Sequence, residues 1–150
     1  MRQIRTQLAQ TLLGAGLIVL GLPAIAGFWD REPANDGPLT VDQAFELYPA
    51  VASDGRIRIE WRIAPEHYLY QFRLKIVNAE TGSVLDAQWP EGLPYHDEHF
   101  GDVTIYRDQL NGEVPASDAS PTRIRITYQG CADAGLCYPP QTRELEVEQL

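Results

Sequence analysis

The sequence predicts an all-β fold, an immunoglobulin-like antiparallel β-sandwich. The main observation is a strict alternation of polar and apolar residues, which turns one face of a strand toward water and the other toward a core. Strands with one solvated face are typical of antiparallel sheets, and short strands separated by turns are typical of sandwiches. The alternation occurs in residues 56–63, 123–128 and 144–148.

The remaining elements follow from the apolar runs and from the turn-forming residues between them. Strands are also predicted over residues 68–77, 84–88 and 103–110. Residues 41–48 fit either a helix or another strand. Clusters of Gly, Asp, Asn, Ser and Pro favour tight reversals of the chain. Such clusters predict turns at Ser53-Asp54-Gly55, Glu80-Thr81-Gly82, Asn111-Gly112 and Ala119-Ser120-Pro121.

The first 26 residues are predicted to be a signal peptide. Arg2 and Arg5 precede an apolar stretch, residues 12–22, that is shorter than the ~20 residues a membrane-spanning helix needs. Ala24-Ile25-Ala26 then matches the small-x-small pattern of a cleavage site. We therefore expect export to the periplasm and a mature domain of residues 27–150, with no membrane insertion after cleavage. A retained membrane anchor is the alternative.

Charge and cysteine content limit the function. The 12 basic and 21 acidic residues give a net charge of −9, which disfavours binding to nucleic acid and to anionic lipid. Two cysteines in an exported chain predict a disulfide, because they meet oxidising conditions. The inter-sheet disulfide of antibody domains is not expected, since both cysteines lie in one short segment.

Cys131 and Cys137 lie in a predicted tight connection between two strands. A bridge that closes so short a loop constrains the unfolded chain by only ~2.4 kcal/mol, so a structural staple and a redox pair both remain open at this point. A zinc site with His96 and His99 is disfavoured because the spacing of the cysteines is wider than usual. Hydrolysis by a nucleophilic cysteine is disfavoured because the two thiols are free to bridge each other.

The cysteine segment, residues 128–140, resembles the active-site segment of the N-terminal periplasmic domain of DsbD, the thiol:disulfide interchange protein. Supporting matches occur in the same order, at residues 27–30, 42–45, 68–70 and 105–108. The resemblance implies an immunoglobulin-like sandwich, in agreement with the strand pattern. It also implies a relay of electrons between thioredoxin-like proteins through the cysteine pair, with no bound cofactor.

The resemblance further implies partners and roles for the cysteines. The donor would resemble the thioredoxin-like C-terminal domain of DsbD, and the acceptors would be DsbC-like proteins or cytochrome c maturation thioredoxins. Cys137 would form mixed disulfides with partners, and Cys131 would resolve them. No CxxC motif and no spanning segment follow Ala26, so we expect separate partner proteins. The alternative is a non-enzymatic periplasmic binding or assembly module with a structural disulfide.

The family's cap loop corresponds to residues 97–101 here. Asp97 and Glu98 are expected to raise the pKa of a nearby cysteine, with a solvated surface loop as the alternative. The family aromatic over the sulfurs aligns with His99, and Phe100 is slightly favoured as the cap because an apolar ring excludes water better.

Two tyrosines and a histidine complete the set of candidate residues. Tyr68 and Tyr70 share one side of their strand and are expected to buttress the cysteines, with ordinary aromatic packing as the alternative. His67 is read as a surface residue.

Overall fold

The computed structural model describes residues 37–116 and 121–150; the predicted signal peptide and nearly all of the turn predicted at 119–121 lie outside them. One short helix, α1 (Val41–Ala44), and one 3₁₀ turn (Gln71–Arg73) accompany the strands. The strands are β1 (Phe45–Leu47), β2 (Ala50–Ser53), β3 (Arg56–Ile63), β4 (His67–Tyr70), β5 (Lys75–Asn78), β6 (Val84–Leu85), β7 (Leu93–Asp97), β8 (Gly101–Tyr106), β9 (Gln109–Pro115), β10 (Arg123–Tyr128), β11 (Gly130–Ala132) and β12 (Gln141–Gln149).

The strands form two sheets, which confirms the predicted all-β sandwich. The larger sheet has the order β1-β3-β2-β12-β10-β5-β6, with β9 on the other edge of β3. The smaller sheet has the order β11-β4-β8-β7 and carries the cysteine segment at its β11 edge. Every pair between these strands is antiparallel except β2 with β12, which is parallel.

The predicted alternation is confirmed in the larger sheet. In β3 the side chains of Ile57, Ile59 and Trp61 are almost completely buried, while the alternating Arg56, Arg58 and Arg62 are exposed. In β10 the inward positions are occupied by Ile124, Ile126 and Tyr128, all with no exposed surface. Burial of each of these large apolar side chains contributes about 1.5–3 kcal/mol, so the core of this sheet forms without help from the cysteines.

Residues 41–48 contain both of the alternatives that the sequence left open. The helix α1 begins after Thr40, whose backbone N–H donates to Gln43 Oε1 at 2.9 Å. It ends after one turn, and Phe45 continues directly into β1, where it pairs with Ile63 of β3. The apolar side chain of Phe45 is buried in the core, and this packing favours the extended conformation over a longer helix.

The predicted strand over residues 68–77 is wrong as one element. The chain leaves β4 through the 3₁₀ turn and enters β5, which belongs to the other sheet. Apolar and polar residues alternate without a break from Tyr70 to Ile76, and this continuous pattern conceals the crossing between sheets. The predicted strand over 84–88 is also shorter than expected, since β6 ends at Leu85 and Gln88 makes only an isolated bridge to Glu113.

The turn predicted at Asn111-Gly112 is also wrong, because these residues lie inside β9. The chain reverses earlier, at Asp108, which has a left-handed φ of 63°. The strand predicted over 103–110 is therefore divided between β8 and β9. Gly112 has a packing role: a Cβ there would lie 2.2 Å from the Trp89 ring, so the glycine makes room for this indole. The turns at Asp54-Gly55 and at Gly82 are confirmed by their positive φ angles.

We predict that the domain stays folded when its disulfide is reduced. The core lies in the alternating strands, and the disulfide closes only a short loop, so reduction should lower the free energy of unfolding by about 2 kcal/mol. Thermal and urea unfolding of the oxidised and reduced protein measure this difference. A Cys131→Ser/Cys137→Ser variant, on which a reductant should have no effect, is the control. Loss of cooperative unfolding after reduction would contradict the prediction.

Candidate functional site

Cys131 and Cys137 form a disulfide across a tight loop that leaves the edge of the smaller sheet. Cys131 lies in β11, paired with Tyr68 of β4, and Cys137 forms an isolated bridge with Cys131. The loop reverses at Gly135, whose φ is +87°, and its ends are joined by the Ala132 N–H, which donates to the Leu136 carbonyl at 2.7 Å. Glycine adopts this left-handed conformation without steric cost, so Gly135 suits this turn.

The two sulfurs lie in different environments. Cys131 has no exposed surface, while Cys137 is exposed on the outer side of the loop. A protein that approaches from solvent therefore meets Cys137 first. The roles that the resemblance implied, in which Cys137 reacts with partners and Cys131 resolves, remain a prediction.

An aromatic cluster holds Cys131 from the sheet side. Tyr68 and Tyr70 of β4 belong to one buried cluster with Ile105 and Cys131. Their rings meet edge to face with centroids 5.3 Å apart, and Tyr95 of β7 lies 5.0 Å from Tyr68. The two tyrosines thus lie where the sequence placed them, on the same face of one strand and beside the cysteine.

Tyr70 connects the buried sulfur with Asp97. Its hydroxyl donates to Asp97 Oδ2 at 2.5 Å, and its oxygen lies 3.2 Å from Cys131 Sγ. The single hydroxyl proton is directed to the carboxylate, and the disulfide sulfur has none to offer. After reduction, however, the Cys131 thiol has a proton that the Tyr70 oxygen can accept. Burial and the hydrogen bond to Asp97 raise the pKa of Tyr70 to about 12, so the phenol stays neutral.

Asp97 is a buried carboxylate, only 5% exposed, and not part of a solvated loop surface. Burial alone would raise its pKa, but hydrogen bonds from Tyr70 and from the backbone N–H groups of His99 and Phe100 outweigh burial and lower the pKa. The two backbone bonds measure 2.8 and 3.0 Å. Asp97 therefore organises the cap loop and carries a negative charge close to Cys131. The expectation that the carboxylates of this loop raise the pKa of a nearby cysteine remains a prediction.

A cleft of about 170 Å³ separates the cap loop from the cysteine loop. Cys137 and Asp133 line one side of this cleft, and Asp97, Glu98 and His99 line the other. His99 therefore shares a space with the exposed cysteine. Glu98 is exposed at the same place.

Phe100 packs on the far side of the cap loop. Its ring makes edge-on contacts with Tyr70 and with Phe72 of the 3₁₀ turn, each at 5.3 Å between centroids. The Arg73 guanidinium lies 5.1 Å from the centre of the Phe100 ring. Phe100 lines a separate groove beside β7 and β8, and does not line the cleft of Cys137.

The reading of His67 as a surface residue is wrong. His67 is 8% exposed, and its Nδ1–H donates to the Pro65 carbonyl at 2.8 Å. Its backbone pairs with Ala132, and its ring packs near Phe45 and Tyr138 with centroids 6.0 Å apart in both cases. The position is buried because β11 and the following segment fold over this end of β4, a contact distant in sequence.

The residues considered as zinc ligands have other contacts in the structure. Nδ1 of His96 lies 2.7 Å from Asp102 on exposed β7 and β8 positions, and both cysteines are in the disulfide. Among residues 37–116 and 121–150, no group of three or more His, Cys, Asp and Glu side chains is arranged to hold a metal ion.

Sequence reasoning missed three residues of the site: Tyr95, Arg107 and Asp133. Tyr95 was missed because β7 itself was not predicted; the two-residue spacing of Tyr95 and Asp97 was the available signal for a shared face. Arg107 and Asp133 form an ion pair at 2.7 Å across 26 residues of chain, and no local pattern links them.

Thiol–disulfide exchange needs a sulfur that a partner can reach and a second sulfur close enough to displace that partner. The loop meets both requirements on a rigid strand edge. The molecule therefore belongs to the class of β-sandwich domains that carry an exchangeable disulfide. No helix within the described residues has the length and apolar character needed to cross a membrane.

The family is shown by comparison with known proteins. The model of the family "Thiol:disulfide interchange protein DsbD, N-terminal" matches residues 35–149, and the chain belongs to this family. The thiol:disulfide interchange protein DsbD of Vibrio vulnificus is 40% identical over 143 residues. That match covers 91% of this chain and 24% of the relative, so the chain spans about a quarter of the length of the relative.

Two solved structures from Neisseria meningitidis are similar to the chain in fold and sequence. The DsbD N-terminal domain in its reduced form is 28% identical with a TM-score of 0.64, over 73% of this chain and 89% of the other. The complex between the DsbD N-terminal and PilB N-terminal domains contains a chain that is 30% identical with a TM-score of 0.58, over 72% of this chain and 85% of the other. These matches confirm the resemblance and the immunoglobulin-like fold predicted from the sequence.

We predict that the stability advantage of Asp97 over asparagine depends on pH in the acid range. Because the pKa of Asp97 is lower in the folded protein than its ordinary value of 3.8, its ionised form stabilises the fold above that value. The contribution is lost as the pH falls through the folded-state pKa. Urea unfolding of the wild type and of Asp97→Asn between pH 7 and pH 2 should show a difference that shrinks below about pH 4.

The matched control is Asp86→Asn, which removes a carboxylate from an exposed position. Its difference from the wild type should change much less over the same range. A constant difference for Asp97→Asn down to pH 2 would contradict the role given to its hydrogen bonds.

Proposed function

We propose that this chain is a periplasmic thiol–disulfide relay domain that carries two electrons between thioredoxin-like proteins. The observation that carries the proposal is the asymmetric disulfide, with Cys137 exposed and Cys131 buried 3.2 Å from the Tyr70 hydroxyl. Membership of the DsbD N-terminal family supports it. Because the chain spans a quarter of the Vibrio relative, the electron path of a whole DsbD is part of the proposal and not of the comparison.

The relay consists of two exchange steps in each direction. The reduced domain attacks a partner disulfide with the Cys137 thiolate, which forms a mixed disulfide and releases one partner thiolate. Cys131, after losing its proton, attacks Cys137 Sγ, which re-forms the domain disulfide and releases the second partner thiolate. The partner gains two electrons and the domain loses two. A dithiol donor reverses the sequence by attacking Cys137.

The partners proposed are thioredoxin-like proteins. A donor similar to the C-terminal domain of DsbD would reduce the domain, and DsbC-like or cytochrome c maturation proteins would oxidise it. The complex of a related DsbD N-terminal domain with a PilB N-terminal domain supports docking of a protein on this fold. The periplasm, with a signal peptide over residues 1–26 and a mature domain over 27–150, remains part of the proposal.

The cap loop is proposed to guard Cys137 through His99, with Phe100 as its anchor. Support comes from the cleft, which His99 shares with Cys137, and from the packing of Phe100 on Tyr70 and Phe72. Asp97 ties the loop from inside by accepting two of its backbone N–H groups. Opening the loop would therefore widen the approach to Cys137, and because Asp97 accepts hydrogen bonds from the loop backbone, it would also alter the contacts beside Cys131.

We predict that Cys131→Ala traps a mixed disulfide with a thioredoxin-like partner. The variant keeps the exposed nucleophile but lacks the sulfur that would release the partner. Cys137→Ala should trap far less, since its remaining thiol is buried. Non-reducing electrophoresis and mass spectrometry after reaction with an oxidised thioredoxin-like protein measure both. Equal trapping by the two variants would overturn the assignment of roles, and trapping by neither would favour the non-enzymatic module with a structural disulfide.

We predict that His99→Ala accelerates reduction of the disulfide by dithiothreitol several-fold more than Phe100→Ala does. Removal of His99 opens the cleft in front of Cys137, whereas Phe100 lies outside that cleft. His96→Ala, on the exposed part of β7, is the control and should leave the rate unchanged. A larger effect at Phe100 would reverse the assignment of cap and anchor.

A further inference from the structure

Arg107 joins the cysteine loop to the body of the smaller sheet. Its two terminal nitrogens donate to the two carboxylate oxygens of Asp133 at 3.0 and 2.7 Å, a two-point fork. Asp133 lies in the loop between Cys131 and Cys137, and Arg107 follows directly after β8. Such a bidentate pair restricts both the position and the orientation of the carboxylate.

The guanidinium of Arg107 is itself held by aromatic rings. It lies 5.0 Å from the centre of the Tyr68 ring and 5.9 Å from that of Tyr95. Tyr68 is the strand partner of Cys131, so the platform under Arg107 is the same strand that positions the buried sulfur. The side chain of Arg107 is 27% exposed, which weakens screening of the ion pair by water.

Reduction removes the covalent constraint on the loop between the cysteines. Two backbone contacts of the disulfide form do not involve the sulfur atoms: Cys131 is paired with β4, and the backbone N–H of Asp133 donates to the Glu66 carbonyl at 2.8 Å. Residues 133–137, which include the reacting Cys137, are exposed. The fork to Arg107 is the side-chain contact that ties this exposed stretch to the sheet at Asp133.

We propose that Arg107 is a positioning residue for the exchange reaction. Its fork on Asp133 keeps the reduced loop close to the geometry of the disulfide, so that Cys131 stays within reach of Cys137. This inference rests on the proposed relay function, because it concerns the same cysteine pair. It adds no chemical step: the same sulfur–sulfur bonds form and break.

The fork affects the dithiol–disulfide equilibrium because it orders the reduced loop. With the fork present, both redox states hold the loop in nearly one conformation, and closing the disulfide costs little further entropy. Without the fork, the reduced loop gains conformations that the disulfide must remove again. The linkage is reciprocal, so the disulfide strengthens the fork by the same factor by which the fork favours the disulfide.

The test is the equilibrium of the cysteine pair with a glutathione redox buffer. Arg107→Gln should shift the equilibrium constant toward the dithiol by about five-fold, which a half-buried ion pair with ring contacts can supply. Asp133→Asn should give a similar shift, and the double variant should add little to either. Arg107→Lys, which keeps the charge but not the fork, should recover only part of the wild-type constant.

Arg125→Gln is the control, since Arg125 donates from Nε and from a terminal nitrogen to one oxygen of Glu144 on the larger sheet, away from the cysteines. Its redox equilibrium should equal that of the wild type. The same value for Arg107→Gln would overturn the proposal, and complete recovery by Arg107→Lys would show that charge and not geometry acts. If Arg107→Gln fails to fold, the redox equilibrium constant of Asp133→Asn, a substitution at an exposed position, decides the test. Because glutathione replaces the protein partner, this result is independent of whether thioredoxin-like proteins react.

Discussion

The pairing of β11 with β4 is the constraint on which the site depends. Gly130 begins β11 so close to β4 that a Cβ there would lie 2.2 Å from the Tyr68 carbonyl oxygen and 2.6 Å from the Phe45 ring. Only glycine permits this approach without a shift of the backbone. The pairing then fixes Cys131 opposite Tyr68, inside the aromatic cluster, and directs the following loop outward to solvent. One close backbone contact thus sets both the burial of the first sulfur and the exposure of the second.

The surroundings of the two sulfurs follow from that asymmetry. Cys131 faces a neutral phenol that is bonded to a buried carboxylate, and these groups are held by strands β4 and β7. Cys137 faces a cleft whose opposite wall is the cap loop. Asp97 belongs to both environments, since its carboxylate accepts a hydrogen bond from Tyr70 on the inner side and hydrogen bonds from the cap-loop backbone on the outer side. A movement of the cap loop is therefore coupled to the hydrogen bonds next to the buried sulfur.

The elements that were predicted wrongly from the sequence share a physical cause. Apolar and polar residues alternate from Tyr70 to Ile76 across the crossing from β4 to β5, although the two strands lie in different sheets. Hydrophobic periodicity indicates that one face of a strand is buried, but it does not indicate which sheet the strand belongs to. Asn111-Gly112 has turn chemistry, but the pair lies in β9 because it is paired with Glu60 and Ile59 of β3. In both cases a tertiary contact overrides a local preference, and His67 became buried in the same way.

The sequence by itself determined the β-class of the fold, the alternating faces of β3 and β10, and the pairing of the only two cysteines. These features depend on local periodicity and on spacing of a few residues, which are readable without a partner strand. The resemblance of residues 128–140 also identified the family before any geometry was known. Only the tertiary structure decided which sulfur is exposed, which side of the cap loop faces the cysteines, and that Asp133 meets Arg107. Each of these depends on contacts between segments distant in sequence, 27 residues for Tyr70 with Asp97 and 26 for Arg107 with Asp133. Such contacts are set by how the strands are ordered in the sheets.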